Sequence, residues 1–209
     1  DYGADTLRLY EMFMGPLEVS KPWSAQAVAG SRKFINRVWN FFSEVANITD
    51  TDDGKLTKIY HQTVKKVTND YEALAFNTAI AQMMVFVNEV YKNGTCPRVY
   101  AEGFVKMISC IVPHVGEELW QVLGHDNTIA FESWPTYDEE KCKDSEVTFA
   151  VQINGKMRGT VVMDADLSNE EVVANVLADE KIAKALEKQG GTIVKTIVVK
   201  NKLVNLIVK

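Results

Sequence analysis

The sequence predicts a mainly α chain in two parts: a helical bundle, then a small α+β domain of ββ-α-ββ order. Three observations lead there. Through about the first 125 residues, apolar side chains recur at three- and four-residue intervals, the spacing of helices that bury one face. From Val147 the period drops to two, and Asn154-Gly155 separates two alternating runs, the strongest short-range signal for a β-hairpin. Between them, residues 126–145 are irregular, with Trp134-Pro135 followed by an acidic stretch containing Lys141 and Lys143 (Asp138, Glu139, Glu140, Asp144). At 209 residues the chain is long enough for one large domain or two small ones. The expected boundaries are an opening segment over 1–23, the bundle over 24–133, a linker over 134–145 and the α+β domain over 146–209.

Residues 3–14 read as a short helix, capped by Asp5 or Thr6 and ended by Gly15-Pro16. Leu7, Leu9, Tyr10, Phe13 and Met14 make it apolar nearly all round, so it is expected to be buried. Ser24 to Val45 is the helix around which the bundle is organised. Val28, Phe34, Ile35, Val38, Trp39, Phe41, Phe42 and Val45 fill one arc; Arg32, Lys33, Asn36, Arg37, Asn40, Ser43 and Glu44 fill the other. Its three cations are either a solvated face or phosphate contacts. Leu56 to Lys92 is helical with a break at Phe76-Asn77-Thr78, where Asn77 can cap a new helix. Met83 and Met84 in the second half fit either core filling or an adaptable groove. Pro97 suits a first helical position, Pro113 breaks the next helix, and a last helix from His114 to Leu123 ends at Gly124. In the second part Val147, Phe149, Val151 and Ile153 share a face, and Ser168-x-x-Glu171 forms a capping box. That box opens a helical region to about Lys188, renewed at Asp179. Gly190-Gly191 breaks it, and strands over 192–200 and 203–208 come after.

The composition, 46% hydrophobic and 24% charged, is that of an ordinary globular protein, and no apolar run reaches the roughly 18 residues of a membrane span. The start, Asp1-Tyr2-Gly3, is neither a signal peptide nor an initiator methionine, so the chain is expected to begin inside a longer protein. Cys96, Cys110 and Cys142 are far apart and odd in number, which points to reduced thiols rather than a disulfide framework or a zinc site. His61, His114 and His125 lack metal-ligand spacing. The net charge of -5 is unevenly placed: residues 146–209 carry nine Lys or Arg against eight Asp or Glu. No nucleophile elbow, HExxH, phosphate-binding glycine loop or dinucleotide fingerprint is present. Glu117-Glu118 and Glu139-Glu140 read as solvated faces. Cationic positions remain. Lys156 and Arg158 flank the first hairpin turn; Lys195, Lys200, Lys202 and Lys209 lie on or between the last strands. They suit phosphate contact and edge-strand protection equally.

Several of these stretches resemble one family. Tyr2-Gly3-Ala4-Asp5-Thr6-Leu7-Arg8-Leu9-Tyr10 is similar to the segment just downstream of the KMSKS signature in class I aminoacyl-tRNA synthetases. Gly15-Pro16-Leu17-Glu18, Ser31-Arg32-Lys33-Phe34 with Arg37-Val38-Trp39, and Phe76-Asn77-Thr78-Ala79-Ile80 resemble the bacterial leucyl-tRNA synthetases. Pro113-His114-Val115-Gly116-Glu117-Glu118-Leu119-Trp120 resembles a bundle motif shared with the valyl and isoleucyl enzymes. Val151 to Gly159 and Lys202 to Val208 are the most specific stretches, resembling the C-terminal domain of the bacterial leucyl enzymes. One departure is visible: Lys200-Asn201 stands where that family usually has Pro-Gly.

The resemblance implies a C-terminal fragment of an enzyme that joins leucine to tRNA(Leu) using ATP and Mg2+, cytoplasmic and monomeric, with no membrane contact. Its HIGH and KMSKS motifs and its editing domain would lie upstream, so this fragment would hold no catalytic residue and no cofactor. The catalytic and editing domains of the same chain would be its protein partners. The bundle, of the anticodon-binding type, would brace the tRNA body, and the small domain would touch the outer corner where the D and T loops meet. Arg32, Lys33, Arg37, Lys156, Arg158, Lys195, Lys200 and Lys202 are then the candidate tRNA contacts. Arg37 and Trp39 fit equally a contact to the catalytic body. Two alternatives stand: another class Ia synthetase of valyl type, and a non-catalytic protein-interaction scaffold whose charges confer only solubility.

Overall fold

The computed structural model describes residues 2–143, 146–165, 167–188 and 192–209, which divide into two compact units, 1–143 and 144–209. The first is all helical apart from one short parallel pair of strands. In order it contains α1 (Ala4–Phe13), α2 (Ala25–Phe42), β1 (Ile48–Thr49), α3 (Thr57–Glu72), α4 (Phe76–Asn93), β2 (Cys96–Pro97), α5 (Arg98–Ser109) and α6 (Pro113–Val122). Ser24 caps α2 by accepting from the Ala27 N–H at 3.2 Å. The apolar arc of α2 forms the spine of the core. Phe34, Ile35, Val38, Phe41 and Phe42 are buried, and Phe42 stacks on Phe104 of α5 with centroids 4.9 Å apart. The helix stops at Phe42, so Val45 falls in a 3-10 turn and is exposed, and Trp39 is only partly covered at 37% exposure.

The predicted break in the long helical stretch falls at 73–75, and Asn77 does not cap the helix beyond it, since α4 starts without a side-chain cap. Asp70 closes the corner instead. Its carboxylate accepts from Thr78 Oγ1 at 2.7 Å and pairs with Lys66 at 2.6 Å, while Leu74 turns the chain with a φ of 56°. Pro97 ends a short strand and precedes α5, whereas Pro113 takes the first position of α6, where its missing N–H costs nothing.

Neither Asp5 nor Thr6 caps α1, and α1 is not buried all round, because Leu7 and Phe13 face out. The buried Asp5 reaches across to α6, accepting the Val115 N–H at 2.8 Å and lying 2.7 Å from His114 Nδ1. One turn on, Arg8 donates to the carbonyls of Ile111 at 2.8 Å and Cys110 at 3.2 Å, at the end of α5. A carboxylate thus meets the positive start of α6 and a guanidinium meets the negative end of α5. Close packing completes this corner: a Cβ on Gly116 would stand 2.5 Å from that of Ser109.

Residues 134–143, expected as part of the linker, are held on the bundle. Trp134 Nε1 donates to Thr68 Oγ1 at 2.8 Å, Gln62 donates to the Cys142 carbonyl at 2.8 Å, and Lys65 pairs with Glu139 at 2.7 Å. His61 Nδ1 accepts the Asp138 N–H at 3.0 Å. Glu117, expected in a solvated face, instead accepts from Thr128 Oγ1 and from the Ile129 N–H.

The second unit contains β3 (Glu146–Ile153), β4 (Lys156–Asp164), α7 (Asn169–Ala178), α8 (Glu180–Glu187), β5 (Ile193–Val199) and β6 (Leu203–Val208). The strand order is β4-β3-β6-β5, with both hairpins antiparallel and β3 parallel to β6. Ser168 and Glu171 form the full capping box at the start of α7, and Asp179 caps α8. Phe149, Val151, Ile153, Val204 and Leu206 are buried with Val172, Val176 and Ile182 of the helices. The Gly190-Gly191 break and Asp144 lie outside the described residues.

Two outcomes test the bundle. Asp5→Ala is expected to lower its stability by about 1–2 kcal/mol through loss of the α6 cap, and Asp5→Asn to restore part of it. Urea unfolding followed by tryptophan fluorescence reads this, because all four tryptophans lie in the first unit. Burial and the nearby Lys141 push the His61 pKa below the ordinary 6.5. The unfolded chain therefore binds that proton more readily than the folded one. The His61 contribution is full above pH 6.5 and is lost as pH falls from there towards the lower folded value. Hydrogen exchange at the Asp138 amide, corrected for its intrinsic pH dependence, is expected to show lost protection between about pH 7 and 5. His61→Gln is expected to abolish that change.

Candidate nucleic-acid interface

The cations of α2 lie on its exposed arc but do not form one cluster. Lys33 and Arg37, four residues apart, share a line beside α4; Arg32 turns towards the opening segment, where it donates to the Tyr2 carbonyl at 3.3 Å. Arg37 is the most constrained of the three. Its guanidinium donates to Asn88 Oδ1 at 2.9 Å and lies 4.9 Å from the centre of the Tyr91 ring, and the Tyr91 hydroxyl donates to the Arg37 carbonyl at 2.8 Å. These contacts fix the side chain's direction while leaving donors facing solvent. Tyr91 continues the helical spacing of the buried Val87 and Val90 in α4, yet at 39% exposure it is a bracket for Arg37. A tyrosine at the edge of an apolar stripe was the available signal.

In the second unit the register decides which cations meet. Asn154 and Gly155 take φ values of 51° and 77°, the left-handed pair that a two-residue turn requires, and Lys156 comes next at the end of β4. Gly159 pairs with Val151 and Met157 with Gln152, so Arg158 is the extra residue of a β-bulge. Gly159 lies under α8, where an added Cβ would stand 3.2 Å from Ile182 Cδ1. The opposite face has no helix of this unit among the described residues. The paired row Gln152, Asn205 and Ile197 runs across it, and Met157 stands 60% exposed beside that row. Lys195 pairs with Ile207 on the same face, at the end of the sheet that carries the Asn154-Gly155 turn.

Lys156, Arg158 and Lys195 therefore gather towards one end, and Lys209, beyond Val208, belongs with them. Lys200 and Lys202 are exposed at the far end of the β5–β6 hairpin. There Asn201, with a φ of 55°, takes the left-handed position that glycine would fill in a Pro-Gly turn. The two groups of cations are separated by the length of that hairpin.

The bundle also has a polar cleft of about 530 Å³ whose wall includes Asp52, His61, Arg98, Tyr100, Lys106 and Trp134. Many of its groups are already paired. Tyr100 donates to Asp52 at 2.5 Å, Arg98 donates to Asp50 at 3.2 Å, and Lys106 pairs with Glu132 at 3.1 Å. Burial, with Asp52 accepting its proton, pushes the Tyr100 pKa up to about 12. Among the described residues no three His, Cys, Asp or Glu side chains group to hold a metal ion. Among them, too, no helix is long and apolar enough to cross a membrane.

A family model described as the anticodon-binding domain of tRNA ligase matches residues 53–174, more than half of the chain. Among solved structures, the chain is similar to the agnB2 LeuRS of Agrobacterium radiobacter in a ternary complex with tRNA and LeuAMS. The TM-score is 0.73 and the identity 26%, over all of this chain and 29% of that one. The chain thus spans under a third of the length of that synthetase. It belongs to the family of anticodon-binding domains of tRNA ligases, and its likeness to a leucyl-tRNA synthetase runs from end to end.

Proposed function

We propose that this chain is the tRNA-binding part of a leucine–tRNA ligase, holding tRNA(Leu) while ATP-dependent activation and editing take place in other domains of the same polypeptide. The observation that carries this reading is the end-to-end similarity to a LeuRS described in complex with tRNA. A valyl-type enzyme would share the family model, but the similarity continues through the second unit, where the Val151–Gly159 and Lys202–Val208 stretches favour the leucyl type. The surfaces support RNA rather than small-molecule chemistry. The exposed cations are long and flexible, suited to the backbone, and no ladder of aromatic rings is displayed for stacking single-stranded bases among the described residues.

In this reading α2 contributes Arg32, Lys33 and Arg37 along the tRNA body, and the uncovered sheet face with Lys156, Arg158 and Lys195 meets the outer corner. Lys200 and Lys202 reach a separate stretch of backbone. The opening segment has a different role. Leu7, Phe13, Leu17, Val19 and Trp23 expose apolar surface in close succession, which suits contact with the catalytic domain of the same polypeptide.

Binding of this chain to tRNA is expected to weaken steeply as salt rises from about 50 to 200 mM, because each phosphate contact releases counterions. A flat response would favour the scaffold reading. In the full-length enzyme, Lys156→Ala with Arg158→Ala is expected to raise the KM for tRNA and to reduce the salt slope by about two. Leucine-dependent ATP–pyrophosphate exchange should stay unchanged, and its loss would remove these two residues from the tRNA surface.

A further inference from the structure

The turn that carries Lys156 is held by more than its own hairpin. Its two residues make three side-chain hydrogen bonds to or from β6, about fifty positions later in the chain. Asn154 Oδ1 accepts the Val208 N–H at 2.9 Å, and Asn154 Nδ2 donates to the Val208 carbonyl at 3.1 Å. The Gly155 N–H donates to Asn205 Oδ1 at 3.1 Å. The main chain of Asn154 is already bonded to β6, through its N–H to the Leu206 carbonyl at 2.9 Å. Beyond that point β3 turns away into the hairpin. The Asn154 carboxamide then does what the next peptide group of β3 would have done, offering one donor and one acceptor to the strand alongside.

Residue chemistry at this position is narrow. The φ of 51° favours Asn, Asp or Gly. Of these, glycine has no side chain and ionised aspartate has no donor, so only asparagine both forms the turn and bonds Val208 through both of its groups. Asn205 is equally placed, since its carboxamide oxygen takes the Gly155 N–H, the second turn amide directed at β6. All three bonds are at exposed positions, where a hydrogen bond adds little to stability because water replaces it well. Their effect is on mobility. A two-residue turn at the tip of an untethered hairpin sways; this one is joined to the interior of the sheet.

We propose that Asn154 and Asn205 are positioning residues for tRNA, holding the β3–β4 turn so that Lys156 and the bulged Arg158 meet phosphates from a fixed base. The proposal rests on the tRNA reading of those two cations. Neither asparagine need touch the RNA; they remove the ordering cost that a loose turn would add on binding.

The test is a mutant cycle on tRNA binding by this chain, across a salt series. Asn154→Gly keeps the turn, since glycine adopts positive φ freely, and removes both bonds to Val208. Hydrogen exchange at the Gly155 and Val208 amides verifies the release. The expected result is a loss of affinity of about three- to tenfold with a shallower salt slope, and little further loss when Asn154→Gly is added to Lys156→Ala with Arg158→Ala. Asn205→Val, which suits a strand and frees only the Gly155 amide, is expected to give a smaller loss of the same kind, and it decides the matter should Asn154→Gly fail to fold. Wild-type binding by a released turn, or a loss fully additive with that of the cations, overturns the positioning role. Unchanged binding by the Lys156→Ala, Arg158→Ala protein overturns the tRNA reading of those two cations, and the positioning role with it, a result the first two outcomes do not produce.

Discussion

The bundle depends on how α1 meets the corner between α5 and α6. A helix end leaves unpaired N–H groups at its start and unpaired carbonyls at its finish, and at this corner one of each is brought close together inside the protein. Asp5 takes the first and Arg8 the second. With those groups satisfied, Gly116 can press against Ser109, Trp120 can sink into the core, and α2 can pack on α6 while its Phe42 stacks on Phe104 of α5. The two stretches that meet here, residues 2–10 and 113–120, each carry a family resemblance. Their contact gives that double resemblance a physical cause: Asp5 of the first stretch completes the backbone hydrogen bonding of the second at Val115 and lies against its His114.

Much of the fold was legible because it is local. Helical spacing gave α2 its buried arc, Asn154-Gly155 marked the turn, and Ser168 with Glu171 announced α7, each a matter of a few neighbouring residues. The features that escaped depend on distant partners. Asp5 looks like a cap for its own helix until the partner 110 residues away is visible. Residues 134–143 look like a linker because two of their attachments to α3 use backbone groups, the Asp138 N–H and the Cys142 carbonyl, which carry no mark in a sequence, and the other two, through Trp134 and Glu139, need partners more than sixty residues away. Trp39 was drawn into the core because a periodic stripe does not show where the core ends.

The candidate cations were easy to name and hard to group. Charge alone made Lys156, Lys195, Lys200 and Lys202 equivalent; register divides them between opposite ends of the last hairpin. The bulge at Arg158 had no sign in the alternation, since one extra residue in a strand reads as a slip in pattern. The two units also present their cations differently. In the bundle, Arg37 is steered by a tyrosine and an asparagine from the neighbouring helix. In the sheet, backbone geometry sets direction: a turn with two left-handed residues, a bulge, and Asn201 in the last hairpin.

The parallel pairing of β3 with β6 sets the order in which the small domain can be made. The strand at Leu203–Val208 is interior, flanked by β3 on one side and β5 on the other. During synthesis the first hairpin and both helices emerge while the middle of their sheet is still missing, and Ile153, Val151 and Phe149 lack part of their cover. Closing that gap joins residues far apart in sequence, a slow kind of contact to form. A chain cut short before Leu203 therefore leaves β3 with an unpaired edge, the kind of edge on which another chain can pair.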